Sequence, residues 1–328
     1  MSRRPVVVFL ACMIKAWIQV VFVCALAASL WAPSSGHGAE PPAPNDNDAN
    51  LKTITVEAAR ERAALEHRVD AFVSAIAIRP WRESLPRWDT PICPLVAGMQ
   101  RAQGEFILQR LSQIAAAAGA PLANEHCRAN FYVIATRDPD ALLKAWRKRD
   151  ARMFGSAPEP KIQRFLNSSR PVRVWYNADT DAAGGMPMTA DGGGAMGFGA
   201  ATANSGANNQ PFTGIPTNAH AKLSRLEYDE IQNVSSAIVI VDTGRAKGIN
   251  FGQLADYISL TGLTEIDLDA DLGNAPTILR LFAASADAQP PGLTAWDQAF
   301  LSAMYHTAQK DKMQLSVIET RVVKDLVR

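Results

Sequence analysis

Apolar residues recur three or four positions apart over long segments of the chain, which is the spacing of an amphipathic helix. Val56 to Ile76 has this pattern, with charged residues at the positions between. Gly104 to Ala118 repeats it and stops at Gly119, a residue type that commonly follows a helix. The same spacing predicts three helices near the C terminus: Ile249 to Leu260, Thr294 to Thr307 and Leu315 to Val327.

Short runs of aromatic and β-branched residues predict strands between these helices. Phe131 to Thr136 and Val172 to Tyr176 have that composition, and Pro91 to Val96 is a short apolar run of similar length. Ala237 to Val241 is apolar without interruption, which is typical of a central strand that is buried on both faces. The alternation predicts an α/β (α+β) fold in which helices pack on a mixed sheet and the C terminus is helical.

The first 39 residues have the order of a secretory signal peptide. Two arginines precede an apolar run of 17 residues from Ala16 to Ala32, and small residues follow, so we expect cleavage near Gly38 or Ala39. A start at Met1 or at Met13 is compatible with this order. A linker at 40–50 and a single α/β domain at 51–328 are expected to follow.

Export predicts a secreted, periplasmic protein. If the apolar run were not cleaved, it would anchor the protein in the inner membrane, because its length approaches that of a bilayer span. The charge balance excludes a nucleic-acid partner: after residue 39 the chain has 30 basic and 32 acidic residues. No face is visibly basic apart from Arg147, Lys148 and Arg149, which are expected to be the solvated end of a helix.

Cys93 and Cys127 are the two cysteines that lie beyond residue 39, and they predict a disulfide in an oxidising compartment. The alternative is a metal site shared with His126, but two cysteines and one histidine without further spacing are a weak zinc signal. A disulfide would close a loop of about 35 residues and stabilise the fold by about 3–4 kcal/mol on the chain-entropy model.

Residues 177–221 differ in composition from the rest of the chain. They contain no Lys or Arg, and nine glycines occur between Gly184 and Gly214. So few apolar side chains cannot offset the entropy of ordering, which predicts a disordered insertion. The alternative is a flap that covers a substrate.

The order of elements from Ile249 onward resembles that of the zincin-type metallopeptidases. In that family, a helix carries His-Glu-x-x-His, in which two histidines bind zinc and the glutamate is the general base. A glycine bend, a turn beneath the metal and a last helix follow. Here Gly262 with Leu263 would correspond to the bend, Thr277 to Leu281 to the turn, and Leu293 to Tyr305 to the last helix.

The zinc helix itself departs from the family pattern. Gln253, Leu254 and Tyr257 stand where the first histidine, the glutamate and the second histidine would be, with Asp256 between them. An amide and a phenol are poor zinc ligands, and leucine cannot act as a base. The resemblance therefore implies a metallopeptidase-like scaffold without catalytic residues, zinc or another cofactor.

Pro91 to Pro94 also resembles a block found in a family of uncharacterised exported bacterial proteins, a resemblance that implies no activity.

Asp267, Asp269 and Asp271 form a candidate calcium site, because three carboxylates at a spacing of two are hard oxygen ligands. An EF-hand loop would continue with glycine at its sixth position and glutamate at its twelfth, where this chain has Leu272 and Ile278. A solvated loop is the alternative.

Histidines beyond residue 39 lie in separate elements and form no recognisable triad with an acid and a nucleophile. We therefore expect an exported, non-catalytic binding or assembly module. A divergent periplasmic hydrolase and a membrane-anchored envelope structural protein are the alternatives. The sequence identifies no partner; an envelope protein is the class considered.

Overall fold

A computed structural model describes residues 46–78, 84–155, 157–182, 230–283, 285, 288–310 and 312–328. Thr55–Arg328 forms one compact unit, and of the residues before it only 46–54 are described. The predicted signal peptide lies outside the described residues. Among the helices that are described, none has the length and apolar character needed to cross a bilayer.

Helices and strands alternate in the first half of the described chain, and helices dominate the second half. The helices are α1 (Asp46–Ile76), α2 (Arg101–Ala118), α3 (Pro139–Arg149), α4 (Glu159–Leu166), α5 (Phe251–Leu263), α6 (Ala295–His306) and α7 (Gln314–Val327). Short 3-10 helices span Ala151–Phe154 and Ile278–Phe282. The strands are β1 (Pro94–Ala97), β2 (Phe131–Thr136), β3 (Val172–Ala182) and β4 (Glu230–Asp242). The mixed α+β fold with a helical C terminus is therefore confirmed.

The four strands form one mixed sheet in the order β1-β2-β4-β3. β1, β2 and β4 are parallel, whereas β3 runs antiparallel to β4. β4 lies between β2 and β3, and residues 237–241 are buried on both of its faces. The prediction of a central strand there is confirmed.

Each face of the sheet covers its own hydrophobic cluster. Val239 and Val241 of β4 face the larger cluster, to which α1, α2, α5, α6 and α7 contribute. Ile238 and Ile240 face a smaller cluster beneath α3 and α4. Alternation of side chains along a strand places neighbouring residues in different layers, so β4 connects the two halves of the core.

Two predicted boundaries differ from the structure. Residues 46–50 of the predicted linker belong to α1, while 40–45 lie outside the described residues. Residues 177–182 of the predicted insertion continue β3, and 183–221 are outside the described residues. β3 extends because 177–182 pair with 230–236 of β4, and backbone pairing does not require apolar side chains.

The predicted disulfide between Cys93 and Cys127 is present, with Cα atoms 5.9 Å apart. Asn130 supports it, because its side-chain oxygen accepts a hydrogen bond from the Cys93 amide at 2.7 Å. The Asn130 side-chain nitrogen donates to the Pro91 carbonyl at 3.1 Å. The bridge is compatible with an exported protein.

Candidate functional site

Helix α5, which carries Gln253, Leu254 and Tyr257, is the most buried of the helices that the structure describes. Asn250 caps its first turn by accepting a hydrogen bond from the Gly252 amide at 2.8 Å. Every residue from Leu254 to Leu263 is buried. A helix that is enclosed on all sides must satisfy its polar groups within the protein.

Gln253, Leu254 and Tyr257 have structural contacts. The Gln253 side-chain amide donates to the Pro290 carbonyl at 2.6 Å, and Leu254 is buried in the larger cluster. The Tyr257 ring packs edge to face on Phe282, with ring centroids 5.0 Å apart. Burial raises the pKa of Tyr257 to about 12, so its phenol remains protonated at neutral pH.

Asp256 joins α5 to α2 and to the segment before α6. Its side chain is 5% exposed and both carboxylate oxygens accept hydrogen bonds from Arg110, the Oδ2 bond at 3.1 Å. Oδ2 also accepts from the Leu293 amide at 2.7 Å. The carboxylate raises the pKa of Arg110, chiefly through the hydrogen bond.

The predicted bend at Gly262 and Leu263 is instead the last turn of α5, and the chain leaves the helix at Thr264. Three aromatic side chains donate to the carbonyls of that turn. Tyr176 donates to Thr261, Trp88 to Gly262 and Tyr305 to Leu263. These donors satisfy carbonyl groups that have no partner within the helix.

Where a turn was predicted at Thr277 to Leu281, the structure has a 3-10 helix at Ile278–Phe282, and the predicted last helix is α6. Asp297 connects them. Its Oδ1 accepts from the Thr277 hydroxyl at 2.5 Å, and its Oδ2 accepts from the Ile278 amide at 2.9 Å and from both the amide and the hydroxyl of Thr294. Asp297 is thus a buried structural carboxylate at the start of α6.

The three aspartates of the candidate calcium site are exposed and have separate partners. Asp267 accepts from the Asp269 amide and Asp271 from the Gly273 amide, at 2.8 and 3.0 Å. Asp269 pairs with Arg170. Within the described residues, no group of three or more His, Cys, Asp and Glu side chains is arranged to hold a metal ion.

A groove of about 440 Å³ lies beside this scaffold, lined by α2, α6 and the end of α7. We call it the α2–α6 groove. Small or aliphatic residues cover most of it, and the buried ones are Ile114, Ala118, Ala299 and Leu301. Its charged lining residues are Arg110 and Asp325. The groove is thus an apolar concavity with a few polar groups, which is the usual character of a small-molecule site.

Arg110 and its pairing with Asp256 were not predicted; Asp256 was named only as a position between the residues that replace the zinc ligands. Asp256 lies on an otherwise apolar helix, and such a position indicates a buried partner. The sequence does not identify that partner, because Arg110 is 146 positions away and one of many arginines. The predicted residues Gln253, Leu254 and Tyr257 do not line the α2–α6 groove.

Comparison with protein-family models, with curated proteins and with solved structures finds no match to this chain.

Proposed function

We propose that the protein is an exported, non-catalytic binding module whose ligand site is the α2–α6 groove. The observation that carries this proposal is Arg110, a lining residue of the groove whose guanidinium is held by a buried carboxylate while its side chain remains 37% exposed. A charged group held in place before binding loses less conformational entropy when a ligand binds.

The contacts of α5 support a scaffold function for the part of the chain that resembles zincins. Gln253 and Asp256 connect α5 to neighbouring segments, and Tyr257 packs on Phe282. Such groups are engaged in holding the fold together. The proposal therefore assigns ligand binding to the adjacent groove and stability to α5.

A matched pair of variants tests the groove. Ala117 and Ala116 are neighbouring exposed alanines of α2, but of these two only Ala117 lines the groove. We expect Ala117→Phe to fill the groove and to abolish ligand signals in a saturation-transfer NMR screen of small metabolites. Ala116→Phe, which adds the same ring outside the groove, is expected to leave them unchanged. Absence of any ligand sensitive to Ala117→Phe would contradict the proposal.

We further propose a periplasmic location, which the Cys93–Cys127 disulfide supports. Fractionation of the native host followed by N-terminal sequencing tests it. The expected result is a periplasmic protein that starts near residue 40. A membrane-bound protein that retains the apolar run would favour the anchored envelope protein instead.

A further inference from the structure

Arg110 has a hydrogen-bonding edge that Asp256 does not use. A guanidinium has five N–H groups in a planar fork. Two of these groups, on Nε and on Nη2, are directed at Asp256. In the part of the chain that the structure describes, no residue accepts a hydrogen bond from the other three N–H groups. Two of them form the end-on edge of the fork, whose geometry matches a second carboxylate.

Asp325 supplies the opposite charge to the same groove. It lies in the last turn of α7, its side chain is 33% exposed, and it pairs with Arg328 at 3.4 Å. That long contact leaves the carboxylate with capacity for a further donor. The groove therefore carries a cation and an anion that can each receive an oppositely charged group.

The remaining lining restricts the body of the ligand. Gln113, Gln298 and Ser302 are neutral groups that can donate and accept hydrogen bonds, as an amide-containing ligand requires. Ala118 and Ala299 provide a surface for small apolar side chains. A volume of about 440 Å³ is within the range of small-molecule sites, roughly 300–1,000 Å³.

We infer that the α2–α6 groove binds a short zwitterionic peptide, with its carboxylate on Arg110 and its ammonium group on Asp325. This inference rests on the proposed function, because it names the ligand class of the same site. It follows from charge complementarity: a simple carboxylic acid would use only Arg110, and an amine would use only Asp325.

The test is isothermal titration calorimetry of the purified protein with trialanine, N-acetyl-trialanine and trialanine amide. Trialanine is expected to bind, and removal of either terminal charge is expected to weaken binding about tenfold or more, the effect of one lost charge-assisted hydrogen bond. Equal affinity for the three peptides, or no binding of trialanine, would overturn the inference.

Two variants assign the ends of the peptide. Asp325→Asn is expected to weaken the binding of trialanine about tenfold. The binding of N-acetyl-trialanine should not change, since that peptide has no ammonium group. Arg110→Lys retains the charge beside Asp256 but removes the fork, so it is expected to reduce the preference for trialanine over its amide. Unchanged preferences in both variants would contradict the assignment.

The outcomes separate this inference from the proposed function. If the NMR screen finds ligands that Ala117→Phe abolishes, while trialanine does not bind, the groove remains a binding site and the peptide class is wrong. If the screen finds no such ligand and trialanine does not bind, both proposals fail.

Discussion

Asp297 is a carboxylate without solvent exposure that receives four hydrogen bonds from Thr277, Ile278 and Thr294. We expect Asp297→Ala to lower the free energy of unfolding by about 2–4 kcal/mol, because the buried amide of Ile278 and the half-buried amide of Thr294 would lose their acceptor. Asp297→Asn is expected to lower the free energy of unfolding by less. The side-chain oxygen of the asparagine can take the place of Oδ2, and its amide nitrogen can donate to the Thr277 hydroxyl. Urea unfolding of both variants measures the difference, and equal losses would contradict this account.

Burial raises the pKa of Asp297, and the four hydrogen bonds oppose that shift. The folded protein therefore binds a proton more readily than the unfolded chain, whose carboxyl pKa is about 3.9. Its contribution to stability is present below that pH and is lost as the pH rises through the raised pKa. In urea unfolding at several pH values, the stability of the wild type relative to Asp297→Asn should fall over this window. Parallel pH profiles would contradict the prediction.

At the element scale, helix α5 depends on Gly262, which packs against Phe131, the first residue of β2. A Cβ at Gly262 would overlap the buried ring of Phe131. We expect Gly262→Ala to lower the free energy of unfolding by about 1–3 kcal/mol, because the helix must move away from the sheet. Thermal and urea unfolding measure the loss.

Gly104 of α2 is the control, since it is also a helical glycine but its Cβ would lie 3.6 Å from Val96, an ordinary contact. Gly104→Ala is expected to stabilise the protein by about 0.5–1 kcal/mol through helix propensity. A loss as large as that of Gly262→Ala would show that packing on Phe131 is not the cause.

Aromatic donors determine how α5 ends. The Tyr305 hydroxyl donates to the Leu263 carbonyl, and burial raises its pKa well above the ordinary value. We expect Tyr305→Phe to cost about 1–3 kcal/mol, because a buried carbonyl loses its donor. Tyr132→Phe is the control in urea unfolding, since the Tyr132 hydroxyl donates to the carbonyl of Ala129, a half-buried residue, whereas Leu263 is fully buried. Equal losses in the free energy of unfolding would contradict the prediction that the loss depends on burial of the carbonyl.

The disulfide acts at the scale of the whole molecule. It connects the residue before β1 to the segment before β2, 34 positions apart. On the chain-entropy model, reduction is expected to lower the free energy of unfolding by about 3–4 kcal/mol. Urea unfolding with and without reductant measures this change. The variant with both Cys93→Ala and Cys127→Ala should be less stable and insensitive to reductant, and a reductant effect in that variant would contradict the assignment.

Local patterns determined much of the fold. Aromatic and β-branched composition predicted β2 at Phe131–Thr136. The spacing of apolar residues predicted the helices near α1, α2, α5, α6 and α7, because side-chain period reflects which face of an element is buried. The disulfide between Cys93 and Cys127 was predicted from the expected export of the protein to an oxidising compartment. α4 was not predicted, since eight residues with few apolar positions give too short a pattern.

Only the tertiary structure decided the strand order, the antiparallel direction of β3 and the site. Arg110 and Asp256 meet across 146 positions, and the groove combines α2 with α6 and α7. A sequence records the period of each element, because burial repeats along the chain. It does not record which elements become neighbours, because that choice depends on packing between residues that are distant in sequence.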